Sequence, residues 1–315
     1  MIRRFVTLSK KGAISVKRPW EPASNHVFQP AARPALRGAM LALLAAFLFT
    51  WLNVVIRFSD DYLTIWHMVF GRSLFAVVFL FVLAKTTGVS LAGRQRKTLL
   101  LIGLAGTAGI FFLTTALLRI PLFQALILFY TYPAVAALIS PRLTGDIASP
   151  RTWACIGLAF AGTVLTLWSG GHGSIAPEAG HLFGLGASVC VGILMTLVRR
   201  VSDVNNPLTP IFYVSATALV VSLVPMLRSG AGLAVPLPGV GWLFAIGLFA
   251  VSAHIATNRA LRYIASAKVG SISMLEVFFS GVAGYFLFAE SLGWATLAGG
   301  MLIVIAGWGL VHDRG

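Results

Sequence analysis

Ten apolar segments occupy most of the sequence between residues 36 and 311, and the connections between them are too short to form a soluble domain. An α-helix rises about 1.5 Å per residue, so about 20 apolar residues cross the hydrocarbon core of a bilayer. The pattern therefore predicts an all-α integral membrane protein with ten transmembrane helices. The predicted spans are 36–56, 62–84, 98–118, 122–140, 152–169, 181–198, 208–227, 239–258, 267–289 and 292–311.

The composition excludes an ordinary soluble domain. Only 10% of the residues are charged and the mean hydropathy is +0.88, whereas soluble domains carry about 25% charged residues. The excess of 24 Lys and Arg over 9 Asp and Glu does not indicate nucleic-acid binding, because these charges lie between apolar runs. Cys155 and Cys190 lie inside apolar segments without a CxxC motif, so we interpret both as packing residues. No metal or other cofactor is predicted.

The placement of basic residues predicts the orientation in the membrane. Residues 1–37 are polar, contain eight Lys or Arg and four prolines, and are predicted to be a disordered cytoplasmic tail. Twenty of the 24 basic side chains fall on the side of this tail, against Arg57, Arg119 and Arg228 on the other. Positive charge accumulates in cytoplasmic loops, so both termini are expected in the cytoplasm of a bacterium, with the helices in its inner membrane. Two termini on one side require an even number of spans, in agreement with ten.

The sequence also matches itself at a shift of 144 residues, where Ile102-Gly103-Leu104 corresponds to Ile246-Gly247-Leu248. The shared register predicts two repeats of five spans, 38–170 and 181–312. Because five is odd, the second repeat must enter the membrane in the opposite sense to the first. Inverted repeats are a recurring plan of secondary transporters, with the substrate site near the midplane between the halves. No P-loop motif is present, so ATP is not expected to drive the protein directly.

Several short motifs, in order and spacing, resemble those of the EamA-type members of the drug/metabolite transporter superfamily. They are Phe70-Gly71-Arg72-Ser73, Tyr130-Thr131-Tyr132-Pro133-Ala134, Leu275-Glu276-Val277-Phe278, and the span endings Leu143-Thr144-Gly145-Asp146 and Leu287-Phe288-Ala289-Glu290. The resemblance covers residues 36–311 and implies a ten-helix transporter of small molecules. Two positions depart from the family pattern. Asp146 replaces a usual Glu, and Val277 stands where many members have a proline, so no proline is present there to kink the ninth span.

Two charges inside predicted spans are the main functional candidates. Glu276 is the only charge between Val269 and Ala289, and a carboxylate at that depth costs about 3 kcal/mol on insertion scales unless it is protonated, paired or hydrated. It could bind a substrate amine, exchange a proton during transport, or belong to a fixed interhelical pair. Arg72 lies midway along the second span and could contact a substrate anion, pair with Glu276, or have a purely structural role.

Polar and aromatic residues near the same depth complete the predicted substrate site. Tyr130 and Tyr132 flank the middle of the fourth span. Since residues two apart point in different directions on a helix, we expect only one of them to face the cavity. Tyr132 is favoured, because the repeat pairs it with Glu276 just as it pairs Arg72 with Thr217. The other candidates are Trp51 and Asn53 for substrate binding, and His67 and His254 for a proton relay or for packing.

The sequence thus predicts a secondary active transporter, not an enzyme, that moves a small polar or zwitterionic metabolite such as an amino acid by alternating access. Its partners would be that substrate and the lipid bilayer, with possible coupling to protons or a counter-substrate. The alternatives are proton-coupled efflux of cationic or amphipathic compounds, a membrane-embedded enzyme, and a non-transporting receptor. The enzyme alternative is weak, because Asp60-Asp61 in a short outer loop is the nearest approach to a catalytic cluster.

Overall fold

The computed structural model describes residues 32–143, 150–169, 179–202, 204–228, 235–260, 263–264, 269, 272–290 and 293–311. These residues are almost entirely helical, and no strand occurs among them. The helices are α1 (Ala32–Phe58), α2 (Ile65–Thr87), α3 (Arg96–Arg119), α4 (Leu122–Phe129), α5 (Tyr132–Leu143), α6 (Pro150–Ser169), α7 (Ala179–Val201), α8 (Leu208–Arg228), α9 (Leu237–Ala260), α10 (Leu275–Phe288) and α11 (Trp294–Val311).

Length and composition make this a multi-pass membrane protein. Seven apolar segments of the described chain are long enough to cross a membrane, namely those of α1, α2, α3, α4 with α5, α7, α8 and α9. Three shorter apolar segments lie within α6, α10 and α11, at the positions of the predicted fifth, ninth and tenth spans. The all-α membrane fold is thereby confirmed, while the number of ten crossings stays a prediction.

The first helix begins earlier than predicted. Residues 1–31 of the predicted tail lie outside the described residues, but 32–37 form the first turns of α1 rather than disordered chain. Pro34 does not prevent this, because the first four N–H groups of a helix have no partner within the helix. The sequence interpretation gave too much weight to the prolines that precede the apolar run.

The predicted fourth span, 122–140, is two helices rather than one. Helix α4 ends at Phe129, a turn at Tyr130-Thr131 follows, and α5 starts at Tyr132. The Tyr130 N–H donates to Leu126 O at 2.8 Å, and the Thr131 hydroxyl donates to Leu128 O at 2.7 Å, which satisfies the end of α4. Pro133 has no N–H to continue the α4 ladder, but it fits the first turn of a new helix.

The ninth span is interrupted as well, although it has no proline. The prediction of one helix over 267–289 is corrected, because Met274 adopts a turn and α10 starts at Leu275. The Val277 N–H donates to Met274 O at 3.1 Å, a short-range bond that closes this turn. Met274 lies 144 residues after Tyr130, so the two interruptions occur at positions related by the shift found in the sequence.

Helices of the two repeats alternate in the packing of the bundle. From the first repeat, α1 packs on α9 and α10, and α2 packs on α8 and α9. From the second repeat, α7 packs on α3, α4 and α5, and α8 also packs on α3. Helices α4 and α10 meet next to their interruptions, and α6 pairs with α11 at the side of the bundle.

The largest cluster of buried apolar side chains fills the predicted outer half of the bundle. It includes the end of α1, the end of α3 and nearly all of α4, where Leu117, Ile120, Leu122, Leu126 and Leu128 are at most 1% exposed. Smaller clusters lie nearer the predicted inner end, and they hold four buried residues each. Buried apolar packing is therefore most extensive in the predicted outer half of the bundle.

Candidate functional site

Glu276 lies at the centre of the described bundle and is only 7% exposed. Its carboxylate accepts two hydrogen bonds from neutral donors of the first repeat. The Asn53 side-chain amide lies 2.8 Å from Oε1, and the Tyr130 hydroxyl lies 2.8 Å from Oε2. The same Tyr130 hydroxyl is 2.9 Å from Ser273 O. A single phenolic proton is thus shared between two acceptors, unless the carboxyl group carries a proton of its own.

Local structure explains how these groups meet. Because α10 starts at Leu275, Glu276 lies in its first turn, where free N–H groups and the helix dipole favour a negative charge. Thr50 and Asn53 share one face of α1, three residues apart, and both reach Glu276, with the Thr50 hydroxyl 3.4 Å from its carbonyl oxygen. The interruption between α4 and α5 brings Tyr130 to the other carboxylate oxygen.

Arg72 lies midway along α2 and is only partly buried. Its charge interacts with Glu276 and with His254 on α9. In the part of the chain that the structure describes, however, Arg72 and Glu276 form neither a hydrogen bond nor an ion pair within 4 Å. His254 packs edge-on against Phe49, with ring centroids 5.2 Å apart. The two central charges are therefore near each other without neutralising each other directly.

Tyr130 and Tyr132 both lie close to Glu276, whereas the sequence favoured Tyr132 alone for the cavity. The ring centroids of Tyr130 and Tyr132 are 6.0 Å apart, and Phe129 lies 5.6 Å from Tyr132. The expectation assumed one continuous helix, whereas the turn between α4 and α5 changes the direction of the chain. Tyr130 provides the direct contact to Glu276, and Tyr132 interacts with the same carboxylate electrostatically.

Two predicted site residues lie elsewhere in the structure. Thr217 packs against α3 at Gly103, so closely that a Cβ added to this glycine would collide with the Thr217 hydroxyl. Trp51 is 37% exposed and packs edge-on against Phe47 on the exposed face of α1. The predicted cavity of four residues stays a prediction, since no contact in the described chain joins Thr217 to Glu276.

The two histidine candidates differ in position. His67 is 4% exposed in the first turn of α2, where its Nδ1 lies 2.7 Å from the hydroxyl of Thr64, the residue that caps this helix. This contact holds the His67 ring at the N-terminal end of α2. His254 is the candidate that lies near the central charges. No group of three His, Cys, Asp or Glu residues that could hold a metal occurs among the described residues.

Sequence reasoning gave Asn53 too little weight and missed its neighbours. Thr50, Asn53 and Arg57 are spaced by three and four residues and form a polar stripe on one face of α1, whose chain is otherwise apolar after Arg37. Such a stripe in a membrane helix signals a face turned toward protein or water. The contribution of Ser273 O was not predictable, since it depends on the unexpected turn at Met274.

Comparison with known proteins agrees with this architecture. Two relatives are each named "Pseudopaline exporter CntI", from Pseudomonas aeruginosa strains UCBPP-PA14 and PAO1. They are 25% and 24% identical over 269 residues, which cover 85% of this chain and 94% of each relative. A crystal structure 16% identical in sequence covers 87% of this chain and 97% of its own, with a TM-score of 0.58. That likeness concerns the fold alone.

The family model of the EamA-like transporter family matches the chain twice, at residues 36–168 and 178–311. These two matches cover both halves of the bundle. They confirm the resemblance to drug/metabolite transporters and identify a transporter rather than an enzyme. The chain belongs to the EamA-like transporter family.

Proposed function

We propose that this protein is a secondary active exporter in the inner membrane of a bacterium, with both termini in the cytoplasm. Its substrate is a small polar metabolite that carries both a carboxylate and an amine. The observation that carries the proposal is the pair of central charges, Glu276 and Arg72, which interact without forming an ion pair. The direction of transport is supported by the two relatives that are named as exporters.

The chemistry of the site supports a substrate that carries both a negative and a positive charge. A guanidinium group binds a carboxylate through two parallel hydrogen bonds, and Arg72 keeps its donors free of a bound acid in the described chain. Glu276 offers a carboxylate to an amine, while the Tyr132 ring provides an apolar or cation–π surface beside it. An ordinary hydrophobic drug would offer no opposite charge to either group.

Alternating access between inverted repeats is supported by the packing of the helices. If the halves are exchanged, α1 takes the place of α7, α2 of α8, α3 of α9, α4 with α5 of α10, and α6 of α11. The contact of α1 with α9 then corresponds to that of α7 with α3, and the contact of α1 with α10 to that of α7 with α4 and α5. Two arrangements of similar energy are natural for a bundle with such internal symmetry.

The hydrogen bonds of Glu276 support coupling to protons. When the carboxylate is ionised, the Tyr130 hydroxyl donates to Oε2. When the carboxyl group is protonated at Oε2, it donates to the Tyr130 oxygen, and the phenolic proton turns to Ser273 O. Both protonation states are thus fully hydrogen-bonded with the same heavy-atom positions. An exporter of this design would exchange a proton for the substrate at Glu276.

The export proposal is tested by comparing the small molecules in the medium of cells that produce the wild-type protein, Glu276→Gln, Arg72→Gln, or no transporter. The wild type is expected to enrich at least one zwitterionic metabolite, and each variant is expected to lose most of that enrichment. Asp61→Asn, which removes an exposed carboxylate outside the site, is the matched control and should export normally. Undiminished enrichment by both site variants would contradict the proposed site.

A further inference from the structure

A second buried carboxylate lies at the predicted outer end of the bundle. Glu290 follows α10 and is 8% exposed. Its Oε1 lies 3.0 Å from Nη1 of Arg57, the last basic residue of α1. The Leu122 N–H, at the start of α4, lies 3.0 Å from both carboxylate oxygens. This carboxylate belongs to none of the contacts made by Glu276.

Arg57 connects the carboxylate to the end of α3 as well. Its Nη1 donates to Ile120 O at 2.7 Å and to Leu117 O at 3.1 Å, and its guanidinium lies 5.2 Å from the centre of the Phe288 ring. Four separate parts of the chain therefore meet at one charged group. They are the end of α1, the end of α3, the start of α4, and the connection between α10 and α11. We refer to Arg57 and Glu290, with these hydrogen bonds, as the outer clasp.

The outer clasp joins the two repeats. Arg57 and Leu122 belong to the first match of the family model, and Glu290 belongs to the second. The contact is also tight, because a Cβ added at Gly284 would collide with the Glu290 carboxylate. Any motion that separates the repeats at this end must break the ion pair or carry it along intact.

The outer clasp lies above the central site on the same two helices. On α1, Asn53 bonds Glu276 and Arg57 bonds Glu290, one turn further along the same face. On α10, the hydroxyl of Ser280 lies between the two carboxylates, fully buried and with no hydrogen-bond partner in the described chain. Below the clasp, the buried side chains of α4 complete the seal. In this arrangement the clasp and the buried side chains of α4 lie between Glu276 and the predicted outer side.

We propose that Arg57 and Glu290 form the outer gate of the transporter. The gate is closed in this structure and opens when Glu290 leaves Arg57 and the Leu122 N–H, so that α10 parts from α1 and α4. This inference rests on the proposed transport cycle, and it assigns to two residues a role that the central site does not perform. A buried pair suits a gate, because its formation and rupture separate two discrete states rather than a continuum.

The test measures access to the seal and needs no substrate. A Ser280→Cys substitution is placed in a background with Cys155→Ser and Cys190→Ser, and a membrane-impermeant thiol reagent is applied to intact cells and to inside-out vesicles. The gate predicts slow labelling from outside in this parent protein. Adding Glu290→Gln should raise the outside labelling rate about tenfold or more, because losing about 1.4 kcal/mol of the closed state shifts the populations tenfold.

Two further variants keep the result interpretable. Gly284→Ala displaces the Glu290 carboxylate without removing its charge and should also raise outside labelling. Asp61→Asn, in the same outer region, should leave the rate unchanged. Rates are normalised to folded protein measured by size-exclusion chromatography. Parent-level labelling in folded Glu290→Gln and Gly284→Ala, or an increase from the vesicle interior side alone, overturns the gate. Faster outside labelling in a protein that exports nothing would retain the gate and reject the exporter.

Discussion

Glu276 is held by two neutral donors, and this choice of partners separates it from an ordinary buried salt bridge. A buried pair with Arg72 would fix both side chains, since breaking such a pair leaves an uncompensated charge. Asn53 and Tyr130 instead stabilise the carboxylate while leaving its charge available to a ligand or a proton. The distinction matters for a transporter, whose central charges must bind a substrate or a proton in each transport cycle.

The two tyrosines provide a matched test of this arrangement. Tyr130→Phe removes the hydroxyl that bonds Glu276, and a hydrogen bond to a charged group is worth about 1.5–3 kcal/mol. Transport is therefore expected to fall about tenfold or more. Tyr132→Phe removes a hydroxyl with no hydrogen bond to Glu276 in the described chain and should change transport about twofold or less. The check is initial export rate per folded protein, and equal losses in the two variants would contradict the assigned roles.

Helices α6 and α11 pack against each other at the side of the bundle. They pack on each other through small residues, and a Cβ added at Gly162 would lie 2.6 Å from Gly299 O. Close approach of this kind replaces the hydrophobic effect as the source of helix association in a bilayer. The absence of a side chain at Gly162 permits this approach.

Two glycines of α6 test the packing of α6 on α11. Gly162→Val is expected to destabilise the protein by about 1–3 kcal/mol, the usual cost of an overpacked contact. Gly157→Val is the control on the same helix, because a Cβ added there meets no atom within 4 Å. Thermal unfolding in detergent measures the difference, and export per folded molecule should be preserved in both variants. A lower melting temperature for Gly157→Val than for Gly162→Val would contradict the assignment.

For the whole molecule, apolar periodicity and loop charge were sufficient to predict the helical membrane fold, because a bilayer permits few alternatives. The same reasoning placed Glu276 and Arg72 in the centre, since hydrocarbon does not tolerate unshielded charge. It did not predict the turns at Tyr130 and Met274, which lie where α4 and α10 meet. Pro133 is a local reason for the first turn, but the second has no proline. For this reason the hydrogen bonds of Asn53 and Tyr130 to Glu276 emerged only from the structure.

In the proposed transport cycle, Glu276 is the group that exchanges a proton for the substrate. The most direct measurement compares wild-type protein and Glu276→Gln in proteoliposomes, using the metabolite identified in the export experiment. Wild type should show both pH-gradient-driven transport and exchange of labelled for unlabelled substrate. Glu276→Gln should lose the gradient-driven component while retaining some exchange, because its amide cannot take up the proton. Gradient-driven transport at the wild-type rate in Glu276→Gln would contradict the account.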